Sequence, residues 1–170
     1  MIILPFLGQK NNMINNISPF FNKHSKILIL GSFPSVISRQ NEFFYANKQN
    51  RFWKVLSFVF DEKEPASLDD KKSLLCNHNI ALWDIVKSCD IKGSSDSTIT
   101  NLKTNDINQI LKNSNISHIF TNGSKASSLY KKYILKDTFI QNYPLASTSP
   151  ANARYSLERL IKEWSILSRI

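Results

Sequence analysis

Four short apolar stretches constrain the fold of this chain more than any other feature of its sequence. They cover residues 26–31 (KILILG), 80–85 (IALWDI), 117–122 (SHIFTN) and 143–148 (YPLAST). Each has the length of a buried β-strand, and most end in small or polar residues. Because helical patterns lie between them, they predict a mainly parallel sheet with helices on both faces. We therefore expect an α/β fold, a three-layer α/β/α sandwich around a central four-stranded sheet, in one domain over residues 1–170.

Helical spacing of apolar residues marks the segments between these stretches. Around Phe52 and Trp53 such residues are so dense that the helix should be well buried, and Ser67 is placed to cap the next helix. A short third helix, a fourth helix and a C-terminal helix should follow. The residues that mark them are Ile107, Ile110 and Leu111, then Ala126, Leu129, Tyr130 and Tyr133, then Leu157, Leu160, Ile161, Trp164 and Leu167.

Basic residues exceed acidic residues by 22 to 13, which gives the chain a formal net charge of +9. This excess favours a polyanionic partner, because basic side chains that bind phosphates release counterions, although a basic protein without such a partner would look the same. The two cysteines are too few for an iron–sulfur cluster or a cysteine-rich zinc site. Residues 1–12 lack the features of a signal peptide, and no apolar run is long enough to span a membrane. We therefore expect a cytoplasmic protein.

In an open parallel sheet, ligands bind outside the carboxyl ends of the strands, so the segments after the four stretches should meet in one site. The first segment, residues 31–53, carries three consecutive aromatic residues, Phe43, Phe44 and Tyr45, among polar ones. Consecutive aromatics are more often part of a core, but a base that has left a duplex needs such a surface to stack on. Asn50 precedes the aromatic-rich helix and fits either a helix N-cap or a site residue.

The last segment, residues 147–154 (STSPANAR), joins the fourth strand to the C-terminal helix. Ser149 and Pro150 look like a helix start, with a hydroxyl cap followed by proline in the first turn. Hydroxyl and backbone N–H groups at such a start also bind phosphate, and small residues would let the loop enter the gap left by a flipped base. Both interpretations can hold together.

The other two segments offer weaker indications. In the second, which should be a loop, Asp84 lies near a strand end and could be a site carboxylate, whereas Asp90 and Asp96 fit solvated or capping roles. Residues 122–126 (NGSKA) should open a helix, where Lys125 and its neighbours could hold a phosphate. The three histidines do not have metal-binding spacing, and the glycine patterns of serine hydrolases and dinucleotide-binding proteins are missing.

Five segments at these strand ends together resemble the hypoxanthine-DNA glycosylases, also called DNA-deoxyinosine glycosylases or family 6 of the uracil-DNA glycosylase superfamily. They are GSFPS (31–35), YANKQNRFWKVL (45–56), LWDIVKSCDIKGSSDSTI (82–99), NGSKA (122–126) and STSPANARYS (147–156). The resemblance runs from about residue 27 to residue 164 and rests on five modest motifs in the right order. It implies a uracil-DNA glycosylase-like monomer, without metal or cofactor, that acts on double-stranded DNA containing a deaminated base.

The NRFWKV segment is also similar to the mismatch-specific uracil/thymine glycosylases. Those relatives have an Asn at the third position of the first loop, where this chain has Phe33. A phenyl ring can neither orient a water molecule nor donate a hydrogen bond. The resemblance therefore implies that the catalytic Asn is Asn50, which would bind the attacking water or steady the departing base.

Two further groups of residues are expected around Asn50. The base pocket should contain Ser32, Phe33, Pro34, Ser35, Phe44, Tyr45 and Asp84, with Phe44 or Tyr45 stacked on the base. Contacts with the DNA backbone should come from Ser38, Lys125, Ser147, Ser149, Pro150, Asn152 and Arg154.

The expected reaction is hydrolysis of the N-glycosidic bond of a flipped hypoxanthine, which leaves an abasic site. No lysine is clearly placed to form a Schiff base, so we expect a monofunctional enzyme. Two alternatives remain open. One is the same fold with a preference for uracil or a mismatched pyrimidine, and the other is a catalytically silent module that senses damaged DNA.

Overall fold

The computed structural model describes residues 10–92 and 99–170. Its strands are β1 (Lys10–Ile14), β2 (Ile27–Gly31), β3 (Ile80–Asp84), β4 (Val86–Lys92), β5 (Thr100–Thr104), β6 (His118–Asn122) and β7 (Asn142–Leu145). Its α-helices are α1 (Val36–Gln40), α2 (Phe52–Val59), α3 (Leu68–Asn77), α4 (Asn108–Leu111), α5 (Ser124–Leu129), α6 (Leu135–Thr138) and α7 (Leu157–Trp164). Residues 1–9 and 93–98 lie outside the described residues. The prediction about Asp96 therefore falls outside them, as does most of the segment on which the signal-peptide prediction rests.

Strands β3, β2, β6 and β7 lie side by side in that order, and each neighbouring pair is parallel. This is the four-stranded parallel sheet predicted from the sequence, and helices flank it. Every residue of β2, a central strand, and of β3, an edge strand, is buried, because the sheet is covered on both faces. The fourth strand ends at Leu145, earlier than predicted, so residues 146–148 belong to the loop that follows.

Helices α2 and α7 pack against each other through two large, completely buried aromatic side chains. Phe52 on α2 and Trp164 on α7 are both completely buried, and their rings meet edge to face with centroids 5.8 Å apart. The Trp164 indole donates a hydrogen bond to the carbonyl oxygen of Ala146 at 2.9 Å. The C-terminal helix therefore holds both α2 and the start of the last loop in place.

The predicted caps and helices are confirmed in most places. Ser67 accepts a hydrogen bond from the backbone N–H of Asp70, and the Asp70 carboxylate accepts one from the N–H of Ser67, which makes a complete capping box at α3. The fourth predicted helix starts as α5 but continues through a π-helical turn, Tyr130–Ile134. Tyr130 is completely buried in that turn, and its hydroxyl donates to the carbonyl oxygen of Ile140 at 2.7 Å.

A second, antiparallel sheet of order β1-β4-β5 corrects the prediction that the segment after Asp84 is a loop. Asp90, predicted to be solvated or capping, is partly exposed on β4 and accepts hydrogen bonds from Asn12 at 2.8 Å and Asn101 at 2.7 Å on the two flanking strands. These strands are short, polar and interrupted by register shifts, so they lack the alternation that identifies a strand in sequence. Their effect is to place the residues after β1 beside the end of β3.

Replacement of Phe52 by alanine should destabilise the protein by about 3–5 kcal/mol, because it removes a completely buried ring between Tyr45, Trp53 and Trp164. Phe58 on the same helix is 61% exposed, and Phe58→Ala should change stability by no more than about 0.5 kcal/mol. Urea denaturation of both variants measures the difference. Equal losses of stability would contradict the packing described here.

Candidate active site

A cavity of about 280 Å³ opens at the carboxyl ends of the parallel strands. Every one of the four strand-end segments contributes to its wall, as the parallel sheet requires. Twelve of the residues predicted for the site line it: Ser32, Phe33, Pro34, Ser35, Ser38, Phe44, Tyr45, Asn50, Asp84, Ser147, Ser149 and Pro150. Gly31, Asn47, Asn122 and Thr148 also line it and were not identified from the sequence.

The floor of the cavity is built where β2 and β3 end side by side. Gly31 is the register partner of Asp84, and a Cβ atom on Gly31 would lie 2.4 Å from Oδ1 of Asp84 and 3.4 Å from the hydroxyl oxygen of Tyr45. A side chain at position 31 would therefore collide with the carboxylate, and glycine is required by this close approach. The other carboxylate oxygen of Asp84 accepts a long hydrogen bond, 3.4 Å, from the Asn15 amide just after β1.

Burial dominates the electrostatics of this floor. Asp84 is only 4% exposed, and its burial raises the pKa of the carboxyl group to about 7, although the hydrogen bond from Asn15 acts in the opposite direction. Burial also raises the pKa of Tyr45, and the nearby Asp84 carboxylate raises it further, while the Asn122 amide lowers it. Tyr45 has a positive φ of 50°, a backbone conformation that is strained for an aromatic residue.

Asn50 is fixed in the cavity wall by two hydrogen bonds to its side-chain oxygen. Oδ1 accepts from the backbone N–H of Phe52 at 3.0 Å and from the hydroxyl of Thr148 at 2.8 Å. The N-cap residue of α2 is Arg51, and Asn50 stands one position before it. The Asn50 side chain nevertheless pairs with a backbone N–H of the first helical turn, that of Phe52. Because two donors occupy the oxygen, the NH₂ group is the part of the Asn50 side chain that remains to contact a ligand.

Thr148 connects Asn50 to Asn122 at the end of β6. Asn122 donates from its amide nitrogen to the Thr148 hydroxyl at 2.9 Å, and its amide oxygen accepts the Thr148 N–H at 3.0 Å. The Thr148 hydroxyl therefore accepts from Asn122 and donates to Asn50. This chain of hydrogen bonds fixes which way the Asn50 amide faces, and Thr148 itself is completely buried.

The prediction that Ser149 and Pro150 start the C-terminal helix is wrong. The helix begins at Leu157 with Ser156 as its N-cap, and the preceding loop instead forms turns and bends over residues 149–151 and 153–155. Ser147 and Ser149 each accept one backbone N–H within those turns, from Ser149 and Ala151 respectively. The apolar stripe of α7 begins only at Leu157, so burial of that stripe decides where the helix starts.

Arg51 holds this last loop against the start of α2, a role that the sequence did not reveal. Its guanidinium group donates to the carbonyl oxygens of Ser149 at 3.1 Å, Asn152 at 3.0 Å and Tyr155. Its backbone N–H also donates to the carbonyl oxygen of Thr148 at 3.1 Å. Three carbonyls from one loop converge on a single planar cation, which a lysine could not satisfy equally.

In the first loop, the polar residues mainly support its own structure. Ser35 caps α1, and the buried Ser38 hydroxyl accepts from the N–H of Ala46 at 3.1 Å and from the Ser35 hydroxyl at 3.1 Å. Ser38 is 3% exposed, so we assign it to holding the loop rather than to contacting DNA. Phe33 is half-buried beneath the Arg39 guanidinium, whose central carbon is 5.3 Å from the ring centroid.

The three consecutive aromatic residues divide between the core and the cavity. Phe43 is buried and stacks with Trp53, and its ring is edge to face with Phe44, which is 3% exposed but also lines the cavity. Tyr45 is half-buried and stacks on Phe52, with the two centroids 3.9 Å apart. Both of the predicted stacking residues therefore reach the cavity, each supported from behind by the core.

Three of the predicted DNA-binding residues lie outside the cavity. Lys125 and Asn152 line a neighbouring groove of about 730 Å³, and Lys125 is exposed on the first turn of α5. The preceding Gly123 has a φ of 98°, which suits glycine and turns the chain into that helix. Arg154 is exposed in the last loop. Among the described residues, no cluster of metal-ligating side chains and no helix long and apolar enough to cross a membrane occurs.

Comparison with known proteins gives a consistent family. The model of the uracil DNA glycosylase superfamily matches residues 18–168. A hypoxanthine DNA glycosylase of Methanosarcina acetivorans is 32% identical over 150 residues, which cover 87% of this chain and 93% of the relative. A hypoxanthine DNA glycosylase of Methanosarcina barkeri is 30% identical over 152 residues, 86% of this chain and 92% of the relative.

A solved structure has the same fold. The solution NMR structure of a candidate uracil DNA glycosylase from Methanosarcina acetivorans superposes with a TM-score of 0.77. The two chains are 30% identical, and the match covers 90% of this chain and 94% of that one.

Asp84→Asn should stabilise the protein above pH 7, because it removes a carboxylate that is buried at a cost. The folded-state pKa, about 7, lies above the ordinary value of 3.8, so the stability of the wild type falls as the pH rises between these values. The gain should be roughly 2–4 kcal/mol at pH 8 and should vanish near pH 4. Thermal unfolding across pH 4–8 measures it, with the exposed Asp69→Asn as a control that should show no such trend. A pH-independent difference for Asp84→Asn would refute the assignment.

Arg51→Lys should loosen the last loop and cost about 2 kcal/mol, because one ammonium group cannot serve all three carbonyls. Amide hydrogen exchange in residues 147–155 should become faster than in the wild type, and exchange in the rest of the protein should change less. Lys54, exposed on the same helix, provides the control variant Lys54→Ala, which should leave both exchange and stability nearly unchanged. Unaltered exchange in Arg51→Lys would mean that the loop is held by other contacts.

Proposed function

This chain belongs to the uracil DNA glycosylase superfamily, and we propose that it releases hypoxanthine from double-stranded DNA by hydrolysing the N-glycosidic bond. The observation that carries the proposal is the orientation of Asn50, whose NH₂ group is left to face a base-sized cavity at the strand ends. Hypoxanthine as the substrate is supported by the names of two relatives that match most of this chain. Phe33, which replaces the Asn of the mismatch-specific branch, supports it further.

The cavity suits a single flipped base. Its volume, about 280 Å³, lies just below the roughly 300–1,000 Å³ of pockets that hold drug-sized ligands. The walls combine aromatic rings from Phe44 and Tyr45 with polar groups from Asp84, Asn50 and Asn122, and flipped bases are held by this kind of stacking and hydrogen bonding. None of the lining residues is a lysine, which supports a monofunctional enzyme that leaves an abasic site.

Asn50 acts on the departing base rather than on the attacking water in this proposal. As the glycosidic bond breaks, the base gains negative charge, and a preorganised N–H donor stabilises that charge without reorganisation. An Asn50 that bound the attacking water as an acceptor would need an unoccupied oxygen, but Oδ1 already accepts from Phe52 and Thr148. The fixed amide is therefore best suited to donation.

The duplex would be held by the rim of the cavity. Pro150 and Arg154 are exposed on the last loop, and Lys125 is exposed beside the neighbouring groove. The net charge of +9 supplies the long-range attraction, and phosphate contacts fix the position of the duplex without reading its sequence. Since all groups that the proposal uses come from one chain, we expect a monomer to be active.

A base-release assay tests the function directly. Duplexes that contain hypoxanthine, uracil, xanthine or a thymine mismatch are incubated with excess protein, and hypoxanthine should be released fastest. Faster release of uracil would favour the alternative specificity. Binding of hypoxanthine duplexes without release from any substrate would favour a silent damage-sensing module.

Asn50→Ala should lower the single-turnover rate of hypoxanthine release by about 100-fold, the usual cost of removing one preorganised donor. Asn50→Asp separates the two possible roles, because aspartate keeps the acceptor for Phe52 and Thr148 but has no N–H to donate. We expect Asn50→Asp to be as slow as Asn50→Ala. Gln49→Ala, an exposed neighbour, should keep the wild-type rate. A fast Asn50→Asp enzyme would instead show that position 50 acts as an acceptor toward water.

A further inference from the structure

Two polar groups in the floor of the cavity are incompletely paired. The hydroxyl of Tyr45 is buried and has no partner at normal hydrogen-bond geometry among the described residues, although the Asn122 amide lies close to it. The carboxylate of Asp84, 4% exposed, accepts one long hydrogen bond from Asn15 at 3.4 Å. Buried polar groups are nearly always paired in folded proteins, so two such groups side by side call for a specific explanation.

Both groups point to the same space. The hydroxyl oxygen of Tyr45 and Oδ1 of Asp84 each lie close to the position that a side chain on Gly31 would occupy, at 3.4 Å and 2.4 Å from its Cβ. Glycine leaves that space open to the cavity, and all three residues line it. The floor therefore presents a hydroxyl donor next to a carboxylate acceptor.

The complement of this arrangement is a lactam edge, in which a carbonyl oxygen stands next to a ring N–H. We propose that Asp84 and Tyr45 form a specificity pair, in which the Asp84 carboxylate accepts the N1–H of a 6-oxopurine and the Tyr45 hydroxyl donates to its O6. This inference rests on the proposed function, because it assumes that the cavity receives a flipped base.

The pair also explains how the parent base would be rejected. Adenine has a lone pair at N1 and an amino group at C6, so the ionised Asp84 carboxylate would face a second acceptor at N1, and the Tyr45 hydroxyl would have to turn from donor to acceptor to meet the amino group. A buried site that is built to hydrogen-bond its ligand strongly disfavours an analogue that cannot reciprocate. Uracil carries the same lactam edge, so the pair selects deaminated bases against undeaminated ones and does not separate purines from pyrimidines.

Burial supports the pair in a second way. Burial of the ionised Asp84 carboxylate costs desolvation free energy, and this cost raises its pKa to about 7. A ligand N–H that reaches the carboxylate would offset part of that cost. Tyr45 is held for this contact by its stacking on Phe52, so its hydroxyl can be removed without moving the ring.

The test measures binding, so that it does not depend on catalysis. Duplexes carry either hypoxanthine or unsubstituted purine, which lacks O6 and N1–H, on a 2′-fluorinated arabinose sugar that resists hydrolysis. Dissociation constants are measured for the wild type, Asp84→Ala, Asp84→Asn and Tyr45→Phe. The cost of flipping each base is the same for every variant, so it cancels when the hypoxanthine-to-purine ratios are compared.

The wild type should prefer hypoxanthine by roughly 30-fold or more, as expected for two hydrogen bonds of which one involves a charge. Asp84→Ala and Tyr45→Phe should each lower that preference about 10-fold while they change purine binding by less than about threefold. Asp84→Asn, which keeps the size and a neutral acceptor, should fall between the wild type and Asp84→Ala. It also keeps the test valid if the alanine variant does not fold.

The outcomes separate this proposal from the function on which it rests. If the variants weaken both duplexes equally, so that the ratio is unchanged, the pair is structural and the proposal is overturned, even if the wild type releases hypoxanthine. If the ratio collapses as expected, the pair reads the lactam edge, even if the wild type releases no base and the proposed activity fails.

Discussion

The site depends on a hydrogen-bonded connection between two loops that are about one hundred residues apart in sequence. Residues 50 and 51 at the start of α2 bind the loop after β7 through Thr148 and through three carbonyls held by Arg51. The backbone N–H of Arg51 completes the connection at the carbonyl of Thr148. Without these contacts the parallel sheet would still bring the loops to one edge, but it would not fix their relative position. The orientation of the Asn50 amide follows from this connection, because Thr148 is one of its two donors.

The floor of the cavity shows the opposite balance, in which stability is reduced to keep a chemical group in place. A carboxylate at 4% exposure with one long hydrogen bond is unfavourable to folding at neutral pH, as its raised pKa indicates. The strained backbone of Tyr45 and its unpaired hydroxyl are further costs at the same place. Tyr45 stacks on Phe52, which is completely buried with Trp164 between α2 and α7. The hydrophobic stabilisation of this contact offsets the free-energy costs at Tyr45 and Asp84.

Sequence reasoning succeeded where burial alone decides the structure. Strands β2 and β3 are nearly continuous apolar runs because both of their faces are covered, and the capping box at Ser67 is a local pattern of two residues. It failed where long-range contacts decide. Strands β1, β4 and β5 are polar and are defined by their partners, and the turns at Ser149 are held by an arginine far away in sequence. Most residues predicted for the site line the cavity because strand ends must converge, whereas Asn122 and Thr148 were missed because their contacts orient another side chain.

Phe33 gives this division of roles a physical reason. Its ring is half-buried under the Arg39 guanidinium, so the third position of the first loop provides an apolar wall and no polar group. A glycosylase of this fold must then obtain its donor for the departing base from another element, and the start of α2 is the segment whose amide is already fixed from two sides. Recognition of the base can be assigned to the floor, where Asp84 and Tyr45 come from different strand-end segments and approach each other only because position 31 is a glycine. On these proposals, loss of the donor should slow the release of every base, whereas changes in the floor should alter which base is preferred.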